Sequence, residues 1–147
     1  ELHPDLTLVL AGKSVITIPE HPRIRYLGFI SDQDKFDLLA GSEFLVIPSQ
    51  FESLSMVALE AWAMGKPVLA NGRTEVLRGQ CQRSHAGLWY ENYDEFREVV
   101  SLLARDSGLR ESLGRNGRSF FSRNYSWPEI EKKYLSIFST LGMQKTL

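Results

Sequence analysis

Short apolar runs alternate with stretches of helical periodicity along most of this chain. The apolar runs predict strands at residues 6–11, 24–27, 44–47 and 68–70, with a candidate fifth strand at residues 87–90. The run at residues 6–11 is continuous, as expected of a strand that is buried on both faces. Strands that alternate with helices are typical of an α/β domain with a parallel sheet.

Helix signals lie between and after these runs. Ser31 stands three residues before Asp34, which is a capping-box-like start for a helix that ends at Gly41. Thr74 is a candidate cap for a short helix after the fourth strand. The remaining helices are predicted at residues 53–64, 94–104 and 109–122, and from Ser126 to about residue 141 with Pro128 in the first turn.

This order of elements predicts the fold class. We expect α/β architecture: a Rossmann-like parallel sheet flanked by helices, with a helical C-terminal tail. A chain of 147 residues suits a single domain. Ligands of such sheets bind outside the carboxyl ends of the strands, so the loops at residues 12–14, 28–30, 48–52 and 71–74 are the expected binding loops.

One glutamate interrupts the apolar face of the helix predicted at residues 53–64. Glu60 lies between Leu59 and Ala61, and an ionised side chain is rarely buried without a partner. Glu52 precedes it by eight positions. In a helix, that spacing places the two backbones roughly 10 to 12 Å apart. Because helical side chains lean toward the N-terminus, Glu60 should point back to the strand ends. The two carboxylates could then flank one ligand.

The predicted start of the same helix lies between the two glutamates. Its first turn would leave the backbone N–H groups of Ser53, Leu54, Ser55 and Met56 free. Free amides and the positive end of the helix dipole bind anions. A ligand with hydroxyls at both ends and negative charge between them fits this arrangement, and a nucleoside diphosphate sugar is such a ligand.

The stretch ESLSMVALEAWAMGKPVLA, residues 52–70, resembles the motif of two glutamates separated by seven residues in retaining glycosyltransferases of family 4. The usual pattern of that family is E-G-F-G-x-x-x-x-E-A-x-A-x-G-x-P-V. The upstream stretches LVLAG and IRYLGFISDQDKFDLLAGSEFLVIPS agree with the family, as do AGLWYENYDEF and NYSW downstream. The resemblance therefore covers nearly the whole chain.

This resemblance implies the C-terminal, donor-binding half of an enzyme of the GT-B fold. Such an enzyme moves a sugar from a nucleoside diphosphate sugar to a hydroxyl acceptor and retains the anomeric configuration. By resemblance, Glu60 holds the ribose hydroxyls, and Glu52 is the catalytic candidate that contacts the donor sugar. The amides of residues 53–56 contact the sugar and diphosphate, while Phe29 and Ile30 frame the base. We expect no metal ion and no cofactor, because positive protein groups and the helix terminus can neutralise the charge of the diphosphate.

The chain also departs from the family pattern. Ser53 and Ser55 stand where glycines are usual, so we expect a tighter or differently polar sugar pocket. The family's Arg and Lys that neutralise the diphosphate lie upstream, and neither Lys13 nor Arg73 matches them. Because Glu1 comes just before a predicted core strand, we expect residues 1–147 to be one donor-binding domain truncated on its N-terminal side. Without the acceptor domain, we expect no transferase activity.

Composition narrows the partners and the compartment. A formal net charge of -1 gives no electrostatic reason to expect nucleic acid or an anionic membrane as partner. The single cysteine, Cys81, excludes an internal disulfide, and the three histidines lack the spacing of a zinc site. We therefore expect a reducing, cytoplasmic location. No apolar run is long enough to span a bilayer, although membrane association through the missing N-terminal half stays open.

Other interpretations of these residues stay open. Glu60 could be a helix-surface carboxylate paired with Lys or Arg, and Glu52 could be a simple N-cap. The domain could be a non-catalytic nucleotide-binding or interaction module of the same fold, or half of a sugar-nucleotide epimerase. The donor sugar, its base (UDP, GDP or ADP) and the acceptor are not determined, nor is a chemical step for Glu52.

Overall fold

The computed structural model describes residues 5–142. Its five strands all pair in parallel. They are β1 (Leu8–Leu10), β2 (Ile24–Tyr26), β3 (Leu45–Ile47), β4 (Val68–Asn71) and β5 (Gly87–Tyr90). Every strand predicted from the sequence is therefore confirmed. The first three are shorter than predicted.

Six helices follow or separate these strands in the described part of the chain. They are α1 (Asp32–Gly41), α2 (Met56–Ala63), α3 (Glu75–Ser84), α4 (Tyr93–Arg105), α5 (Ser107–Asn124) and α6 (Trp127–Thr140). The predicted cap of α1 is confirmed, because the Ser31 hydroxyl accepts the Asp34 N–H at 3.1 Å. Thr74 lies at the N-cap position of α3, but its hydroxyl makes no capping bond there.

The strands form two sheets, β1-β2 and β3-β4-β5, whereas we expected one. Within residues 5–142, no strand pairs with the second edge of β1 or of β3. The expectation that the first strand is buried on both faces is wrong, since Leu8 is 48% exposed. The middle strand β4 is instead buried at every position, because helices α2 and α3 pack against it and β3 and β5 flank it.

Close packing of α2 against α5 forms the centre of the core. The Trp62 side chain is fully buried, and its Nε1–H donates to the Ala86 carbonyl at 3.0 Å. Phe120 of α5 meets the Trp62 ring edge-on, with 5.6 Å between ring centroids. Gly117 lies directly against Trp62, where a Cβ atom would come within 2.5 Å of the indole. This packing fixes α2 against the sheet.

The predicted helical tail is present as α6. It contributes no buried residue, and several of its apolar side chains are exposed, including Trp127, Tyr134 and Ile137. Among residues 5–142, no helix is both long enough and apolar enough to cross a membrane.

Candidate functional site

The loops after β3 and β4 border an open surface cavity of about 540 Å³. Its walls are formed by Gln50, Phe51, Glu52, Ser53, Arg73, Thr74, Glu75 and Val76. The carboxyl ends of neighbouring parallel strands meet at one edge of a sheet, so two of the four expected binding loops come together here. Glu52 and Arg73 border the same cavity although they lie on different loops.

Side chains from the second loop hold the first loop in place. Asn71 donates through Nδ2 to the Pro48 carbonyl at 3.1 Å, and its Oδ1 accepts the Arg73 N–H at 3.1 Å. The Thr74 hydroxyl donates to the Ser49 carbonyl at 2.9 Å. Both side chains belong to buried residues, 7% and 5% exposed, so these bonds are shielded from water. The cavity wall is therefore built before any ligand arrives.

Helix α2 begins at Met56, and the prediction that Ser53 opens it is wrong. Ser55 occupies the N-cap position with φ 59° and ψ 81°, a left-handed conformation that an α-helix cannot contain. Just before it, the Leu54 carbonyl accepts a hydrogen bond from Gln80 Nε2 at 2.6 Å. The loop before α2, which the bond from Gln80 holds in place, therefore contains three of the four predicted amide donors: Ser53, Leu54 and Ser55.

Backbone donors nevertheless accumulate at this point. Within residues 5–142, the five consecutive amides of residues 53–57 have no hydrogen-bond acceptor. The first bonded amide is that of Ala58, which donates to the Ser55 carbonyl at 3.1 Å. The loop and the first residues of α2 thus present a run of N–H groups near the positive end of the helix dipole. Such a run is suited to an anion.

Glu60 has a partner, Lys35 of α1. The ammonium donates to Glu60 Oε1 at 2.8 Å and lies 3.2 Å from Asp32 Oδ1. The Glu60 side chain is 20% exposed and that of Lys35 is 32% exposed. The hydrogen bond with Glu60 raises the pKa of Lys35 above its ordinary value and outweighs the lowering effect of desolvation. No described residue donates to Glu60 Oε2.

The cavity does not gather every residue singled out from the sequence. Glu52 and Ser53 line it, whereas Leu54, Ser55, Met56 and Glu60 do not. Phe29 and Ile30, expected at the base, lie in the loop after β2 and are also outside it. The Phe29 ring is 82% exposed and available for contact. The cavity therefore brings together two of the eight predicted site residues, and a shared site for the other six stays a prediction.

The described residues contain no group of three or more His, Cys, Asp or Glu side chains that could hold a metal ion. His3 lies outside the described residues. Cys81 is buried, and desolvation raises its pKa to about 12, which keeps the thiol protonated and unreactive as a metal ligand. The absence of a metal remains a prediction from the sequence.

Two residues that shape the site were missed from the sequence, Lys35 and Gln80, whereas Asn71 was included only as the first residue of the expected binding loop at residues 71–74. Lys35 is 25 positions from Glu60, and Gln80 is 26 positions from Leu54, so no local spacing links either pair. A role for Asn71 could have been predicted, because it is a polar residue directly after an apolar run that predicts a strand.

Sequence comparison shows which proteins this chain is similar to. The family described as "Glycosyl transferases group 1" matches residues 1–120. An uncharacterised glycosyltransferase of Methanocaldococcus jannaschii is 35% identical over 121 residues, covering 81% of this chain and 34% of the relative. The D-inositol 3-phosphate glycosyltransferase of Salinispora tropica is 31% identical over 156 residues, covering 93% of this chain and 31% of the relative. The chain spans about a third of the length of these relatives.

Solved structures share the fold. The crystal structure of the Anabaena protein HepE in complex with UDP-glucose matches with a TM-score of 0.78 at 18% identity, over 93% of this chain and 42% of that one. Sucrose-phosphate synthase from Thermosynechococcus elongatus matches with a TM-score of 0.72 at 23% identity, over 81% of this chain and 30% of that one. These matches confirm the Rossmann-like α/β class.

Proposed function

The chain belongs to the group 1 glycosyltransferases, and from this membership we propose that it binds the nucleoside diphosphate sugar of a retaining, family 4 glycosyltransferase. The whole enzyme would transfer a hexosyl group from that donor to a hydroxyl acceptor. Because the chain spans about a third of its relatives' length, we place the acceptor site on an N-terminal domain of the same longer, cytoplasmic protein. The 147 residues by themselves would then have no transferase activity.

One observation carries this proposal: five unpaired amides at residues 53–57 lie between Glu52 and Glu60 in the chain. A diphosphate needs hydrogen-bond donors and positive potential, and this segment offers both. The likeness of the fold to HepE, whose crystal structure contains UDP-glucose, supports the same class of ligand. The cavity beside Glu52 offers room for the donor sugar.

Each residue then has a role set by its chemistry. Glu60 Oε2 accepts hydrogen bonds from the ribose hydroxyls, and the exposed Phe29 ring contacts the base beside Ile30. Glu52 orients the donor sugar from the cavity wall, without a covalent step being assigned to it. The free amides stabilise the charge of the departing diphosphate, so catalysis is mainly positioning and electrostatic stabilisation. We propose no metal ion in this reaction.

The first experiment is a backbone-amide NMR titration of the chain with UDP, GDP and ADP in parallel. We expect saturable shifts at residues 53–57, Glu60 and Phe29 with one of the three nucleotides, which would also identify the base. Glu60→Ala should abolish the shifts around Glu60 and weaken binding at least tenfold, because a charged hydrogen-bond acceptor is lost. The matched control is Glu131→Ala, which removes an exposed carboxylate on α6. If the 147 residues do not respond, the titration is repeated on the full protein, and the proposal fails if the three nucleotides leave residues 53–57 unmoved there as well.

Turnover separates the proposed enzyme from the non-catalytic alternative. A full protein that binds a nucleoside diphosphate at residues 53–57 but neither transfers nor hydrolyses any sugar from its donor would support a nucleotide-binding module. Transfer with inversion of the anomeric configuration would contradict the retaining assignment. Transfer by the 147 residues alone would contradict the need for a separate acceptor domain.

A further inference from the structure

A lysine of the neighbouring helix α1 holds the Glu60 carboxylate of α2. Lys35 Nζ lies 2.8 Å from Glu60 Oε1, 3.2 Å from Asp32 Oδ1 and 4.9 Å from the centre of the Phe36 ring. The ammonium is thus placed by two groups of its own helix as well as by Glu60. Its position does not depend on Glu60 alone.

Partial burial gives this ion pair a defined geometry. With Glu60 20% exposed and Lys35 32% exposed, water and salt screen the pair less than they screen a fully exposed one. A glutamate side chain has several rotatable bonds, and ordering it at the moment of ligand binding lowers affinity. The bond from Lys35 orders it in the free protein.

We propose that Lys35 is a positioning residue for ribose recognition: by holding Oε1 of Glu60, it keeps Oε2 turned toward the nucleotide's ribose hydroxyls. The inference rests on the proposed donor-binding function and adds to it a residue that touches neither sugar nor phosphate. A carboxylate with one oxygen engaged by an ammonium retains free lone pairs for hydroxyl donors. Lys35 and the ribose therefore share Glu60.

Other roles for Lys35 predict different changes in nucleotide affinity. If Lys35 competed with the ribose for Glu60, its removal would free the carboxylate and tighten nucleotide binding. If Lys35 contributed only positive charge or helix packing, its removal would weaken every nucleotide equally. Only if Lys35 positions Glu60 does the loss of affinity depend on whether the nucleotide carries ribose hydroxyls.

The test compares ribonucleotide with 2′,3′-dideoxynucleotide binding by calorimetry in the full protein that carries this chain. The probe is whichever of UDP, GDP and ADP binds most tightly, together with its dideoxy counterpart. Lys35→Met keeps the aliphatic stem and removes the charge, and we expect about tenfold weaker ribonucleotide binding, as for a weakened charge-assisted hydrogen bond. Dideoxynucleotide binding should stay within about twofold of wild type. Lys35→Arg should recover most of the ribonucleotide affinity.

Two further variants complete the design. Lys132→Met removes an exposed lysine of α6 and should change neither affinity. In a Glu60→Gln background, Lys35→Met should add no further loss, because Lys35 acts through Glu60. Equal weakening of both ligands, tighter binding, or no change in Lys35→Met would each overturn the positioning role. A wild-type protein that binds none of the three nucleotides would overturn the donor-binding function itself, which is a different result.

Discussion

At the scale of single residues, Ser55 is the most unusual position near the site. It has a left-handed backbone, φ 59°, and its side-chain oxygen is buried with no hydrogen-bond partner in the described chain. The left-handed conformation costs a non-glycine residue about 1–2 kcal/mol, and an unsatisfied buried hydroxyl adds to the cost. The glycine usual in the resembling family fits this backbone without strain.

Replacing Ser55 with glycine should therefore stabilise the fold. We expect Ser55→Gly to raise the free energy of unfolding by about 1 kcal/mol in urea denaturation, after the greater freedom of glycine in the unfolded chain is subtracted. Ser55→Ala keeps the strain and removes only the hydroxyl, so it separates the two causes. Ser53→Gly is the matched control, because Ser53 is exposed and has no positive φ. Equal destabilisation by both glycine variants would show that Ser55 is unstrained.

At the scale of elements, the contact between α2 and α5 depends on glycine. A Cβ atom on Gly117 would lie 2.5 Å from Trp62 Cδ1, so Gly117→Ala should lower the free energy of unfolding by about 1–3 kcal/mol through overpacking. Gly108 is a control in the same helix, where an added Cβ has only an ordinary contact at 3.5 Å. Gly108→Ala should be neutral or stabilising by up to about 1 kcal/mol, since alanine favours the helix. Thermal unfolding of both variants measures the difference, and equal shifts would contradict the tight contact.

The positions of the strands and helices could be predicted from the sequence, because local hydrophobic periodicity and capping residues indicate each of them. The start of α2 could not, because serine and glutamate are common at helix starts and nothing local indicates the left-handed Ser55. The cavity beside Glu52 followed from the rule that parallel strands end at one edge. The Lys35–Glu60 pair joins two helices and depends on how α1 packs on α2, which periodicity does not encode.

At the scale of the whole molecule, three groups with raised pKa values make stability fall in alkali. Desolvation raises the pKa of Cys81 from 9.0 to about 12 and also raises that of Tyr90, while the bond to Glu60 raises that of Lys35. Each group binds its proton more tightly in the folded state than in the unfolded state. The stability that each contributes is therefore complete below its unfolded pKa and is lost as pH rises through its folded pKa.

The pKa of Cys81 sets a pH range over which stability falls. We expect the free energy of unfolding to fall between pH 9.0 and about 12, with up to about 1.4 kcal/mol lost per pH unit for one proton. Cys81→Ala should be less stable at neutral pH, because it leaves a small void, but should lose less stability across that window. Urea unfolding of both proteins at a series of alkaline pH values is the measurement. Identical slopes in the two proteins would contradict a buried, protonated thiol.

The division of the strands into two sheets has a practical consequence for solution work. Strands β1, β2, β3 and β5 each keep one edge unpaired within residues 5–142, and β1 and β3 are short runs of Leu, Val and Ile. Unpaired edges with apolar side chains are templates on which a second molecule can add its own strand. For the 147 residues on their own, self-association by edge-to-edge pairing would then compete with folding and storage at high concentration. A charged residue or a proline placed along β1 would guard against it at a site distant in sequence from residues 53–60.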